Sequence, residues 1–210
     1  MQKNNIKCEF NKLCQCPSAK KLNKQRLSYT FTYINESLNA IYYDIPKCAS
    51  SAIRRCLFDN TGSLLTPTKD IRSYFKFTLC RNPYDIMVSN FSMFTQQPFR
   101  IETLKQFHKD PANMSFIEFI EFTDKYNNHH WQSQLDFING YDINFIGRVE
   151  NIKEDFNIIC DKIGIPQRQL SHVNKSNHKH YTEYYNEETK QIVAEKYAKD
   201  IKYFGYEFRE

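Results

Sequence analysis

Two short stretches of the sequence carry residue types suited to holding anions. The first is Pro46-Lys47-Cys48-Ala49-Ser50-Ser51-Ala52, which follows the apolar run 39–45 (NAIYYDI) and leads into a helical pattern. In an open α/β sheet, ligands bind beyond the carboxyl ends of the strands, where a helix N-terminus turns unpaired N–H groups and a positive dipole end towards an anion. Lys47 adds a mobile full charge, and Ser50 and Ser51 add hydroxyl donors. Such a loop suits a phosphate or a sulfate. It does not fit G-x-x-x-x-G-K-[ST], because it holds no glycine and Lys47 comes first rather than just before the helix, so an ordinary kinase or NTPase loses most of its support. The plainer alternative makes Lys47 a solvated loop cation and Ser50 a simple N-cap.

The second stretch places Arg81 at the end of FKFTLC (75–80), with Ser89 eight residues further on. Eight residues are about two helical turns, so Ser89 shares nearly the azimuth of the helix start beside Arg81. An Arg fork and a hydroxyl converging there suit a second phosphate. A structural ion pair of Arg81 with Asp85 is the competing assignment. Taken together, the two stretches describe a site for a nucleotide with two separated anionic groups.

These residues need strands and helices to place them. Residues 39–45 and 75–80 read as buried strands, with helices over about 51–58 and from Pro83 to about Phe94; Pro83 is a favourable first helical residue. Ser115 with Glu118 forms a capping box opening a helix. An amphipathic stretch runs from about His129 to Ile138. Residues 144–149 (NFIGRV) make a third strand, and Asn151 with Glu154 should cap a helix carrying Phe156, Ile159, Cys160 and Ile163, stopped by Gly164 and Pro166. Asn186 caps a last helix that ends before Gly205. Alternation of strand and helix predicts a three-layer α/β sandwich with a mostly parallel sheet.

The 210 residues suit one domain, expected over 26–210, after an N-terminal arm of 1–25 rich in Lys, Asn and Cys. With 25% charged and 15% aromatic residues the chain is not a disordered one, and five glycines, about a third of the usual share of roughly 7%, exclude collagen-like and low-complexity classes. The net charge of +5 favours anionic partners. No window approaches 18 apolar residues, and the opening thirty lack a signal peptide's apolar stretch, so the expectation is a soluble cytoplasmic protein. The cysteine count, seven, is odd and favours reduced thiols. Cys8, Cys14 and Cys16 match metal spacing poorly, and no metal is assigned.

In this setting IYYDIPKCASSAIRRCL looks like the 5′-phosphosulfate loop of the carbohydrate sulfotransferases, and FTLCRNPYDIMVSNFSMF looks like their 3′-phosphate motif. The segments HHWQSQ, DINFIGRVENIKEDF and HVNKSNHKHYTEYY resemble the family's carboxyl half. The likeness spans about 41–208, with five motifs in the right order. The resemblance implies a nucleotide-binding core like that of P-loop NTPases and transfer of a sulfuryl group from 3′-phosphoadenosine 5′-phosphosulfate to a hydroxyl, with no metal required. It implies that Lys47 stabilises the departing phosphate, that Cys48, Ala49, Ser50, Ser51 and Ala52 hold the 5′ end, and that Arg81 and Ser89 grip the 3′-phosphate. Asn174, Lys175 and Ser176 would lie over the nucleotide.

The transfer also needs a general base, and a His near pKa 6.5 suits that task. Relatives of the heparan type place theirs between the two nucleotide motifs. Here that interval holds no His, and Asp59 and Asp70 are its acids. His130 is the preferred candidate, because His130-Trp131-Gln132-Ser133-Gln134 resembles an H-W-x-x-Q motif of chondroitin-type members; His129, Asp59 and Asp70 stay open, and so does a packed structural role for His130. The acceptor is expected to be a saccharide or glycan; Lys20, Lys21, Lys24, Arg26, Arg54, Arg55 and Arg100 could line a channel for an acidic polymer, and a solvated face explains them as well. Neither nucleic acid nor stable membrane insertion is expected. Ala49 stands where many relatives carry glycine, and a catalytically silent nucleotide- or polyanion-binding module is the alternative function.

Overall fold

A computed structural model of the chain describes residues 31–58, 70–170 and 179–209. They fall into two compact units: 31–58, 70–81 and 134–170 form one, built on a sheet, and 82–133 with 179–209 form the other, which is helical.

The sheet unit holds four strands in spatial order β1 (Thr32–Asn35), β2 (Ala40–Tyr43), β3 (Phe75–Cys80) and β4 (Phe145–Arg148). β1 pairs antiparallel with β2, while β2–β3 and β3–β4 are parallel. This is the mostly parallel α/β sheet the sequence predicts. Every residue of β2 is buried, as a strand covered on both faces requires. β1 lies outside the expected strands. It turns back into β2 because Asn35 Oδ1 accepts the N–H groups of Ser37 and Leu38 at 3.1 Å each, and Asn39 takes a left-handed φ of 48°. In β4, Gly147 faces Leu79, where a Cβ would come within 2.6 Å of Leu79 Cδ2, so a larger residue there requires the Leu79 side chain to shift.

Helix α1 (Ser50–Leu57) follows β2, and β3 leads by way of Arg81 and Asn82 into α2 (Pro83–Gln96) of the helical unit. That unit continues with α3 (Pro98–Leu104) and α4 (Phe116–Lys125), the latter opened by the expected Ser115–Glu118 capping box. Its core is aromatic: Phe94, Phe119 and Trp131 are buried with Met87, Val88, Leu104 and Val193. The stretch expected as one amphipathic helix over 129–138 is a 3-10 turn (His129–Trp131) and the short α5 (Leu135–Ile138), parted by an extended Gln132 with ψ 159°. Asn128 makes the turn, its side chain accepting the His130 N–H at 3.0 Å.

After β4 the chain makes a 3-10 turn over Val149–Asn151 and then α6 (Ile152–Lys162). Asn151 makes no side-chain cap, because it is the last residue of that turn. Phe156, Ile159 and Cys160 are buried as the pattern requires. Gly164, at φ 73°, ends the helix with its N–H on Asp161 O and the Ile165 N–H on Cys160 O, a Schellman pair. The single last helix of the sequence pattern is two, α7 (Glu187–Lys196) and α8 (Ala198–Phe204), interrupted at Tyr197, whose hydroxyl donates to Trp131 O at 2.8 Å. Asn186 caps α7 as expected. Cys48, Cys56, Cys80 and Cys160 are free thiols.

Candidate active site

The loop from β2 to α1 has the backbone habit of an anion nest. Lys47 (φ 71°) and Ala49 (φ 59°) are both left-handed on either side of Cys48, a pattern that turns successive N–H groups inward. The Cys48 N–H goes back to Ile45 O at 3.1 Å, and the Ala52 and Ile53 N–H groups both reach Ala49 O. Among the described residues, the N–H groups of Ala49, Ser50 and Ser51 meet no acceptor, as the first turn of a helix leaves them. Ala49, the N-cap, has no side chain to offer.

Side chains fix this backbone from below. Asp44, 3% exposed, accepts from Tyr42 Oη at 3.1 Å and lies 3.7 Å from Arg54 Nε. Burial lifts its carboxyl above the usual range, against the Ser50 hydroxyl, Arg54 and Tyr42, which favour the charged form. The Ser50 hydroxyl donates to Ile45 O at 3.0 Å, so it braces the loop. The Cys48 side chain is fully buried, and burial followed by the neighbouring Cys80 pushes its thiol well up, so it stays protonated and presents only backbone to a ligand. Ala52 is buried in α1. Ser51 is half-buried.

Arg81 is half-buried at the carboxyl end of β3. Its guanidinium Nη1 donates to Lys47 O at 3.2 Å. Its backbone N–H donates to Gln134 Oε1 at 2.9 Å, and its carbonyl accepts from Gln134 Nε2 at 2.8 Å. The structure thus brings Lys47, the loop and Arg81 together in the sheet unit.

Ser89 and His130 belong to the helical unit. Ser89 is buried in α2, 2% exposed. His130 Nδ1 lies 2.7 Å from Asn128 Oδ1, its carbonyl accepts from Asn90 Nδ2 at 2.7 Å, and its ring stands edge-on to Phe94 at 5.5 Å. Asn128 Oδ1 also accepts the His130 backbone N–H, which fixes that atom as oxygen and so puts the proton on Nδ1. In the neutral ring the lone pair is then on Nε2. His129, its ring tilted by 38° and centred 4.0 Å from that of His130, is 3% exposed, and burial, helped by Arg100, pulls its pKa down to about 4.

A model of the sulfotransferase family matches residues 31–207. The chain belongs to the sulfotransferase family. No curated protein and no solved structure matches it. This sulfotransferase therefore carries a fold and motif order whose general chemistry is sulfuryl transfer, as the resemblance implies.

Other expected residues of the sulfotransferase are placed less centrally. Asp70 precedes the amino end of β3 and pairs with Arg72 at 2.7 Å, so a strand of about 20 Å separates it from Arg81; it does not stand at the loop. Arg54 is engaged by Tyr33 Oη at 2.9 Å and by Asp44, and Arg100 lies over the Phe94 ring at 5.2 Å, so both are tied into the fold. Asp59, Asn174, Lys175, Ser176, Lys20, Lys21, Lys24, Arg26, Cys8, Cys14 and Cys16 lie outside the described residues. Among the described residues no helix is long and apolar enough to cross a membrane, and no group of three His, Cys, Asp or Glu could hold a metal. Sequence reasoning missed Asp44 and Asn128, and it named Gln134 only as the end of the H-W-x-x-Q likeness, without its contacts. The first stands at the end of a buried strand where a charge is out of pattern, which was a usable signal; the other two act on partners that no local pattern reveals.

Proposed function

We propose that the protein transfers the sulfuryl group of 3′-phosphoadenosine 5′-phosphosulfate to a hydroxyl of a carbohydrate-type acceptor and releases adenosine 3′,5′-bisphosphate. The observation that carries this is the β2–α1 loop, where Lys47 and the N–H groups of Ala49, Ser50 and Ser51 sit at one strand end while Arg81, just past the end of the neighbouring strand β3, is tied to the same loop. Lys47 and those amides hold the 5′ end, and Arg81 takes the 3′-phosphate, with Ser89 assisting as the family resemblance implies.

In the reaction the acceptor oxygen attacks sulfur, the bond from sulfur to the bridging phosphate oxygen breaks, and negative charge moves onto the departing phosphate. Aligned cationic and N–H donors offset that charge at a site where they need no reorganisation. Lys47 is the mobile donor for the bridging oxygen. His130 accepts the acceptor's proton on Nε2, the nitrogen that Asn128 leaves unprotonated by holding the Nδ1 proton. The Asn128 contact supports His130 over the open alternatives.

Incubation of the protein with the phosphosulfate donor and a panel of sulfate-free glycans tests the reading, with release of adenosine 3′,5′-bisphosphate as readout. Acceptor-dependent release supports it. Tight nucleotide binding with no release on any acceptor, or on water over long incubation, would instead mark a silent binding module.

A further inference from the structure

The side chain of Gln134 holds three groups at once. It is 1% exposed, its Oε1 accepts the Arg81 N–H at 2.9 Å and the Cys48 thiol at 3.4 Å, and its Nε2 donates to Arg81 O at 2.8 Å. The β3–β4 pairing ends at Cys80 opposite Arg148, so Arg81 is the first residue beyond the ladder. There a lone side-chain amide supplies both the acceptor and the donor that another strand residue would have supplied. With its N–H and its carbonyl both bound, the Arg81 backbone keeps little freedom, and its guanidinium leaves from a fixed Cα to reach Lys47 O. The same oxygen reaches Cys48, which stands between the two left-handed residues of the loop.

We propose that Gln134 is a positioning residue that sets the nucleotide affinity of the site by fixing Arg81 and the Lys47 loop relative to each other. This rests on the nucleotide reading above. Gln134 touches no ligand atom; it acts through Arg81. Partial replacement of a buried amide of this kind is costly, because removing one partner leaves a desolvated backbone group unpaired.

A double-mutant cycle read by calorimetric titration with adenosine 3′,5′-bisphosphate tests the proposal. Gln134→Met roughly keeps the length and volume of the side chain and removes all three hydrogen bonds. It should weaken binding by about tenfold or more in the wild-type background, but change it by less than about twofold in Arg81→Ala, because coupled residues are non-additive. A merely structural contribution would lower the urea midpoint and affect both backgrounds alike. Should Gln134→Met fail to fold, Gln134→Glu, which keeps the acceptor and loses the donor, carries the same cycle. Wild-type binding with an unchanged Gln134 variant, or with equal losses in both backgrounds, overturns the role of Gln134. Absence of binding by folded wild type overturns the nucleotide reading beneath it.

Discussion

The Arg81 guanidinium donates to the carbonyl oxygen of Lys47 at 3.2 Å, joining two residues 34 positions apart in the chain. The contact uses the Lys47 backbone, so the ammonium group is not spent on it. The Arg81 side chain thereby braces the loop that carries Lys47. Nη1 is one of five N–H donors on the planar guanidinium fork.

Replacing Ala49 with glycine should stabilise the protein. Ala49 holds φ 59° and ψ 18°, a left-handed conformation that costs an L-residue about 1–2 kcal/mol. Part of that gain is offset by the larger entropy of an unfolded glycine, so Ala49→Gly should raise stability by about 1 kcal/mol or less. The urea midpoint measures it, and Ala49→Val should shift it the other way.

His129 makes stability pH-dependent in a stated direction. Its folded pKa is pulled from 6.5 to about 4, so the unfolded chain binds the proton first. Above pH 6.5 the group contributes nothing to the slope; as pH falls from about 6.5 to about 4, stability is lost, by about 3 kcal/mol in all. His129→Gln should flatten that window relative to wild type, a comparison that cancels the titrating carboxylates. An equal loss in the variant would show that His129 is protonated without penalty.

Loss of His130 should strike turnover and spare nucleotide affinity. With a glycan acceptor in hand, His130→Ala is expected to lower kcat by about 10² or more, the usual worth of a general base, and to leave the Kd of adenosine 3′,5′-bisphosphate within about twofold. Asn128→Leu, which removes the acceptor fixing the His130 tautomer, should lower kcat less and in the same direction. An unchanged kcat in His130→Ala would return the ring to a packing role beside Phe94.

The parts legible in the sequence are those fixed by local chemistry. β3 spans 75–80 as expected, because FKFTLC has no reading other than a buried strand closed by Arg-Asn-Pro, and Pro83 and the Ser115–Glu118 pair mark their helix starts unambiguously. The loop of Lys47 was legible for the same reason, since strand, cation and hydroxyls adjoin. β1 was not, because four residues of which three are only half-buried give no alternating signal, and its turn depends on Asn35. Asn151 failed as a cap because a 3-10 turn used it first. Gln134 lies 53 residues from Arg81 and 86 from Cys48, so its part is a product of the fold and invisible to spacing.

The central claim is that Lys47, the loop amides and Arg81 form a nucleotide site, and calorimetric titration of adenosine 3′,5′-bisphosphate at fixed salt into wild type, Lys47→Ala and Arg81→Ala tests it most directly. The account predicts micromolar binding by wild type, with losses of about tenfold or more in each folded variant, as expected for removing a charged hydrogen bond. Folded wild type that binds no nucleotide, or variants that bind as tightly as wild type, would contradict it.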